Sequence, residues 1–224
     1  VARGRRFFEL AAEFARQMAP PVLLVVAGLM GTGKSQLARA LSARSGAPVL
    51  ASDRVRKELA ASELARLDAA VASRAEYGAG IYTDSWNQRT YSTLLGRAQA
   101  LLQAGHSVIL DATFSRRFDR QRAFVLARKE GAEPLLVECR LPDEVALARL
   151  TERELRGLSI SDGRAALYPA QKLVFEAIDE LPAHRHLVVQ TDRLAEQLVD
   201  QVLADSHFSF PSPLFSLPSQ PSAK

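Results

Sequence analysis

Continuous aliphatic runs alternate with helical stripes along the chain. "PVLLVVAG" at 21–28, "APVLAS" at 47–52, "SVILDAT" at 107–113, "EPLLVECRL" at 133–141 and "RHLVVQT" at 185–191 stay apolar from end to end instead of alternating in and out. Such runs mark parallel strands covered on both faces. Helices are predicted between them: from the first strand's exit to about Ala43, over 53–61, 86–105, about 119–130, 142–157, about 164–180, and 193–203. The order strand, helix, strand predicts an α/β fold, a parallel sheet between two helical layers.

The two ends read differently from the middle. Phe7, Leu10, Ala11, Phe14 and Met18 recur at helical spacing, and Pro20 and Pro21 close that helix. It reads either as the trailing piece or linker of an upstream domain or as a helix packed on the domain that follows. The last residues, "SFPSPLFSLPSQPSAK", are rich in Pro and Ser with almost no charge, a composition that reads as a disordered tail. The expected partition is 1–20 helix or linker, 21–205 domain, 206–224 tail.

Of the 224 residues 47% are hydrophobic, enough for a sizeable core, and no apolar run approaches the roughly 20 residues of a membrane helix. No membrane contact and a cytoplasmic location are the expectation. The formal charge of +4 suits anionic ligands but is too modest to point to nucleic acid. A single cysteine, Cys139, excludes an internal disulfide and reads as a buried strand residue. The four histidines show no metal-ligand spacing, and His184 and His186 read as solvated loop residues flanking the last strand.

The chemistry begins at the first strand's exit. "GLMGTGKS" satisfies G-x-x-x-x-G-K-[ST] through Gly28, Gly33, Lys34 and Ser35, with a buried strand before it and an amphipathic helix after it. In that setting the backbone N–H groups of Met30, Gly31, Thr32, Gly33, Lys34, Ser35 and Gln36 can cradle phosphates at a helix N-terminus. Lys34 then neutralises the β and γ phosphates and Ser35 ligates Mg2+. The base-selecting N-K-x-D and the switch D-x-x-G of guanine-nucleotide proteins are both missing from the sequence, so ATP is expected over GTP. Asp111 ends "SVILD" as a carboxylate closing a hydrophobic strand, the Walker B arrangement, where it would hold Mg2+ through a water molecule, although such a residue can also merely cap a turn.

The loop, "ASDRVRKEL" after the second strand, and "SVILDATF" at the third together resemble the P-loop kinase family that includes polynucleotide 5′-kinase and the zeta toxins. Over about residues 21–200 the chain is more similar still to the ATP-binding kinase domain fused behind aminoglycoside phosphotransferase-like domains. The resemblance implies a three-layer P-loop NTPase of the nucleoside/nucleotide kinase type, with five parallel strands in the order 2-3-1-4-5 and a small helical lid. It implies ATP and Mg2+ as cofactors and an upstream phosphotransferase-like domain as a partner.

It also implies that Asp53 is the general base and that Arg56 holds the acceptor, from the pattern D-x-x-R. Asp53 can equally serve as a helix N-cap. The spacing of Arg149 and Arg153 is similar to the lid of adenylate kinase relatives, which would set Arg149 over the base and Arg153 on the transferring phosphoryl group. Thr113 could help position phosphates, and Arg156 with Arg164 brackets "GLSISDG", a segment suited to a lid. Arg156 can otherwise pair along its helix with a glutamate. Tyr77, Tyr82, Trp86 and Arg89, between the second and third strands, are candidates for an acceptor pocket. The expected activity is a kinase acting on a hydroxyl of a small molecule or nucleotide. The alternatives are an ATP-sensing module and a 5′-hydroxyl polynucleotide kinase.

Overall fold

The computed structural model describes residues 19–64, 84–156 and 165–205. The expected N-terminal helix before residue 19, Tyr77, Tyr82, Arg164 with the "GLSISDG" segment, and the Pro/Ser-rich tail lie outside the described residues. The described elements run β1 (Val22–Ala27), α1 (Lys34–Ser45), β2 (Val49–Ala51), α2 (Ser52–Leu64), α3 (Asp84–Gln103), β3 (Val108–Asp111), α4 (Arg117–Lys129), β4 (Glu133–Arg140), α5 (Asp143–Leu155), α6 (Tyr168–Leu173), β5 (His186–Gln190) and α7 (Ala195–Asp205).

All five strands pair in parallel, in the order β2-β3-β1-β4-β5, as the resemblance implied. β1 lies at the centre, and its alternate residues feed two separate cores. Leu23, Val25 and Ala27 join Val55, Leu94 and Phe124 from α2, α3 and α4 on one face. Val22, Leu24 and Val26 join Leu37, Leu41, Leu198 and Val202 from α1 and α7 on the other. Each such aliphatic side chain withdrawn from water contributes roughly 1.5–3 kcal/mol. That double burial is why the strands read as unbroken apolar runs.

Register decides what stands at the sheet's C-terminal edge. Val26 of β1 and Ala51 of β2 both lie level with Asp111 of β3, while Ala27 lies level with Glu138 of β4. The chain therefore leaves β1 for the glycine-rich loop beside Asp111, at the level where β2 gives way to α2. Open parallel sheets gather their ligands at this edge.

Two sequence expectations are corrected. The helix foreseen over about 164–180 is a short 3-10 turn, Ala165–Leu167, followed by α6, and the chain from Val174 to Pro182 is irregular. Tertiary bonds override helix propensity there. The N–H of Glu176 donates to the carbonyl of Ser115 (2.9 Å), and the carbonyl of Ala177 accepts from Arg120 Nη2 (2.8 Å). Arg120, fully buried, also donates to Phe114 O and to Glu180 Oε1, whose side chain is 4% exposed. His186 is likewise no solvated loop residue. It opens β5, with Nε2 2.9 Å from Glu138 Oε2.

Removing one partner of a buried ion pair strands the other, at about 3–5 kcal/mol. Arg120→Leu is expected to lower unfolding free energy by that amount in urea titration, and the double change Arg120→Leu, Glu180→Leu to recover much of it. A single-variant loss under about 1 kcal/mol would contradict the role given to the pair.

Glu138 supplies a pH dependence. Burial alone would raise its pKa, but the hydrogen bonds from His186 and Arg140 outweigh it and bring the carboxyl from 4.5 to about 2. A depressed folded pKa stabilises the fold above the unfolded value. This contribution should thus be intact above about pH 4.5 and fade toward pH 2. Melting temperature followed over that range should fall less steeply in Glu138→Gln than in the unmodified chain, and parallel curves would exclude the effect.

Candidate active site

The loop from Gly28 to Ser35 is pinned between two backbones. A Cβ on Gly28 would stand 2.4 Å from the carbonyl oxygen of Cys139 in β4, and one on Gly31 would stand 2.7 Å from the carbonyl of Ala146 in α5. Gly31 has φ +79°, a conformation that costs side-chain-bearing residues about 1–2 kcal/mol even in open space. The requirement for glycine at both positions is therefore steric. Its result is a loop whose N–H groups can turn inward at the start of α1, where the first helical N–H groups have no carbonyl partner within the helix.

The carbonyl of Leu29 knits the loop together. It accepts from the Thr32 hydroxyl (2.7 Å) and from Lys34 Nζ (2.8 Å). Thr32 is turned inward, 2% exposed, and its carbonyl accepts from the Thr191 hydroxyl at 2.6 Å. Leu29 and Met30 pack in a small third cluster with Leu150 of α5 and Tyr168 of α6. The N–H of Met30 donates to Gln171 Oε1 at 2.7 Å.

Lys34, Ser35, Asp111 and Asp53 converge at the exit of β1. Burial pushes the Lys34 ammonium below its ordinary pKa; Asp111 and Asp53 oppose this and the positive charge of Arg153 adds to it. Burial raises the Asp111 carboxyl, opposed first by its hydrogen bond with the Ser35 side chain and then by Lys34. Asp53, exposed in the first turn of α2, lies within the electrostatic reach of both. It is a residue of that first turn, after Ser52, and not the residue preceding the helix. Arg56, one turn on, is buried, and its charge and that of Asp53 both act on the Tyr91 hydroxyl. That hydroxyl accepts from the N–H of Phe114 at 3.0 Å and has its pKa raised by burial.

On the opposite side of the loop, Arg149 Nη2 donates to Thr191 O (3.1 Å), and its Nη1 lies 3.7 Å from where a side chain on Gly33 would begin. Gly33, Gln36, Leu37, Thr191, Arg193 and Leu198 line a shallow hollow of about 10 Å³ there, room for about one water. Thr113 lies behind the loop, its carbonyl accepting from the Gly28 N–H (3.2 Å) and its hydroxyl in long contact with Gln171 Nε2 (3.5 Å).

Two expected site residues are occupied elsewhere. Arg89 Nη1 bonds Glu63 Oε2 at 2.8 Å, with its guanidinium over the Trp86 ring. Arg156 Nη2 pairs with Glu152 at 2.5 Å, one turn back and mostly exposed. Both are surface ion pairs. Sequence reasoning missed Gln171, Thr191 and Tyr91. Thr191 follows an apolar strand at the ligand-gathering edge, a signal that could have found it. Cys139 is buried as expected, its thiol pushed up to about 12 by burial.

A model of the AAA domain family matches residues 23–178, which include the loop, Asp53, Asp111, Arg149, Arg153 and Gln171 but not Thr191. The chain belongs to the AAA domain family. Two uncharacterized mycobacterial proteins, Rv2004c of Mycobacterium tuberculosis and Mb2027c of Mycobacterium bovis, are each 34% identical to this AAA domain over 136 residues, 58% of the chain. The chain spans about 25% of the length of these relatives.

Among solved structures the AAA domain resembles a putative kinase of Chloroflexus aurantiacus, with TM-score 0.60, 23% identity, and 84% of this chain and 96% of that one covered. It also resembles a gluconokinase of Sinorhizobium meliloti, with TM-score 0.58, 18% identity, and 84% and 93% covered. The Mycobacterium tuberculosis APS kinase, solved with AMPPNP and APS, gives TM-score 0.56 and 20% identity, covering 85% and 100%. The fold of this AAA domain is that of the P-loop kinases. Among the described residues no helix is long and apolar enough to cross a membrane.

The steric account of the loop has a direct control. Gly31→Ala is expected to cost about 2–4 kcal/mol in denaturant unfolding, since strain and the clash with Ala146 add. Gly105→Ala, at φ +78° with nothing within 4 Å, should cost only about 1 kcal/mol. Equal losses would remove the clash from the explanation.

Proposed function

We propose that this AAA domain is an ATP- and Mg2+-dependent kinase that transfers the γ-phosphoryl group to a hydroxyl of a small molecule or nucleotide. The observation that carries the reading is the convergence of Lys34, the hydrogen-bonded pair Ser35 and Asp111, and Asp53 at the loop. An ammonium, two hard oxygen donors and an accessible carboxylate are the parts in-line phosphoryl transfer needs.

Each residue has a role in that reading. The N–H groups of Met30, Thr32 and Gln36, expected on the phosphates, bond Gln171, Leu29 and Gly33 instead. The remaining loop amides and Lys34 therefore hold the triphosphate, and Lys34 draws the developing charge off the γ-phosphoryl oxygens. The Asp53 carboxylate orients the acceptor hydroxyl and takes its proton as the new P–O bond forms and the bond to the β-phosphate oxygen breaks. Arg56, buried one turn on, faces the acceptor. Arg153, close enough to Lys34 to depress its pKa, stabilises the transferring group. Arg149, lying beside Gly33 and the Thr191 carbonyl, covers the base. Thr113 backs the loop at Gly28.

The donor set suits Mg2+. Ser35 and Asp111 offer one hydroxyl and one carboxylate, and Mg2+ keeps several waters, so two protein oxygens suffice. The ion would supply charge neutralisation between the β and γ phosphates. The APS kinase of the same fold is solved with AMPPNP, which supports ATP as the donor here. The mycobacterial relatives extend well beyond the match, which is compatible with an upstream phosphotransferase-like domain joined through residues 1–20.

The test is to incubate the chain with γ-labelled ATP, Mg2+ and a metabolite pool and to follow labelled products. Asp53→Asn is expected to lower product formation by about 10²–10⁴-fold. Nucleotide affinity by calorimetry should stay within about threefold, because in this reading Asp53 serves the acceptor hydroxyl and not the triphosphate. Undiminished product formation in Asp53→Asn would sink the assignment. ATP hydrolysis without any labelled acceptor would favour a sensing module.

A further inference from the structure

The contact between Gln171 and the loop is not used by the reaction above. Gln171 stands on α6 and reaches 141 residues back along the chain to the N–H of Met30, at 2.7 Å. Because that N–H can only donate, the atom it meets must be the carboxamide oxygen, and this fixes the amide's orientation. Nε2 then points the other way, toward Thr113 Oγ1 at 3.5 Å. A carboxamide nitrogen carries two hydrogens, and Thr113 takes at most one of them.

Two observations locate this amide relative to a bound triphosphate. Met30 precedes the N-terminus of α1 by several residues, so its N–H belongs to the half of the loop farther from the helix. Lys34 Nζ rests on Leu29 O, one residue from Met30, and the lysine of this loop bridges the β and γ phosphates. Gln171 therefore borders the γ end. The helix that carries it has anchors besides the loop. Tyr168 donates to Asp143 Oδ1 at 2.9 Å, Lys172 pairs with the same carboxylate, and the Ala165 N–H donates to Glu154 Oε1 at 2.7 Å, tying α6 to α5 from both ends.

We propose that Gln171 is a ligand of the terminal phosphate: its oxygen braces Met30 and its Nε2 hydrogens donate to the γ-phosphoryl oxygens. The inference rests on the kinase reading for the identity of the triphosphate. Physically, Gln171 would let α6 distinguish a tri- from a diphosphate, because only the former extends to the carboxamide.

The test needs no acceptor. Affinities of the full chain for ADP and for AMPPNP, each with Mg2+, are measured by calorimetry for the unmodified protein, Gln171→Glu and Gln171→Ala. Gln171→Glu keeps the size and the oxygen facing Met30 but replaces the donor by a negative charge. It is expected to weaken AMPPNP about tenfold and ADP less than twofold. Gln171→Ala should weaken AMPPNP about threefold with ADP again little changed. Equal weakening of both nucleotides would reduce Gln171 to shaping the loop, and tighter AMPPNP binding in Gln171→Ala would make it an obstruction. Either result overturns the proposal, as does an unchanged pair of affinities. Failure of the kinase reading shows separately, as ATP hydrolysis with no labelled acceptor, and leaves the ratio of the two affinities as it was.

Discussion

The fit of the glycine-rich loop between the carbonyls of Cys139 and Ala146 governs the rest of the candidate site. With a strand on one side and a helix on the other, neither free to retreat, the backbone has a single path, and that path sets where Lys34 and Ser35 begin α1. Helix α5 is part of the enclosure, so Arg149 and Arg153 reach the loop on a helix already seated there. The apolar contacts of Leu29 and Met30 with Leu150 and Tyr168 extend the enclosure to α6.

Within that enclosure the electrostatics are complementary. Burial disfavours the charged forms of both Lys34 and Asp111, in opposite pKa directions, and each partly offsets the other. The penalty on Lys34 would be relieved by an anion and that on Asp111 by a cation, the two halves of a metal-bound triphosphate. Asp53 shares the same field while staying exposed, which separates the group that can exchange protons with an incoming molecule from the groups that hold charge in place.

Much of this was legible in the amino-acid order, and the limits are physical. The five strands were readable because burial on both faces leaves nothing polar in them. The loop was readable because its glycines, lysine and serine are contiguous. The irregular chain after α6 was not: its residues favour helix locally, and partners far upstream in the chain, Arg120 on the Ala177 carbonyl and Ser115 O on the Glu176 N–H, change the outcome. Gln171 and Thr191 were hidden for the same reason, their partners lying 141 and 159 residues upstream. Arg89 pairs with Glu63 across two helices, a neighbour no local pattern announces.

The central position of β1 bears on how the chain is made. Its edge partners arrive late: the N–H of Val22 waits for the hydroxyl of Ser107, 85 residues on, and β4 follows later still. During synthesis an uninterrupted aliphatic strand must leave the ribosome with both of its hydrogen-bonding edges open and both of its faces unclad, a condition that favours intermolecular sticking over slow long-range closure. Helix α1, the first neighbour to emerge, covers one face through Leu37 and Leu41 and is placed to act as the nascent strand's earliest shield.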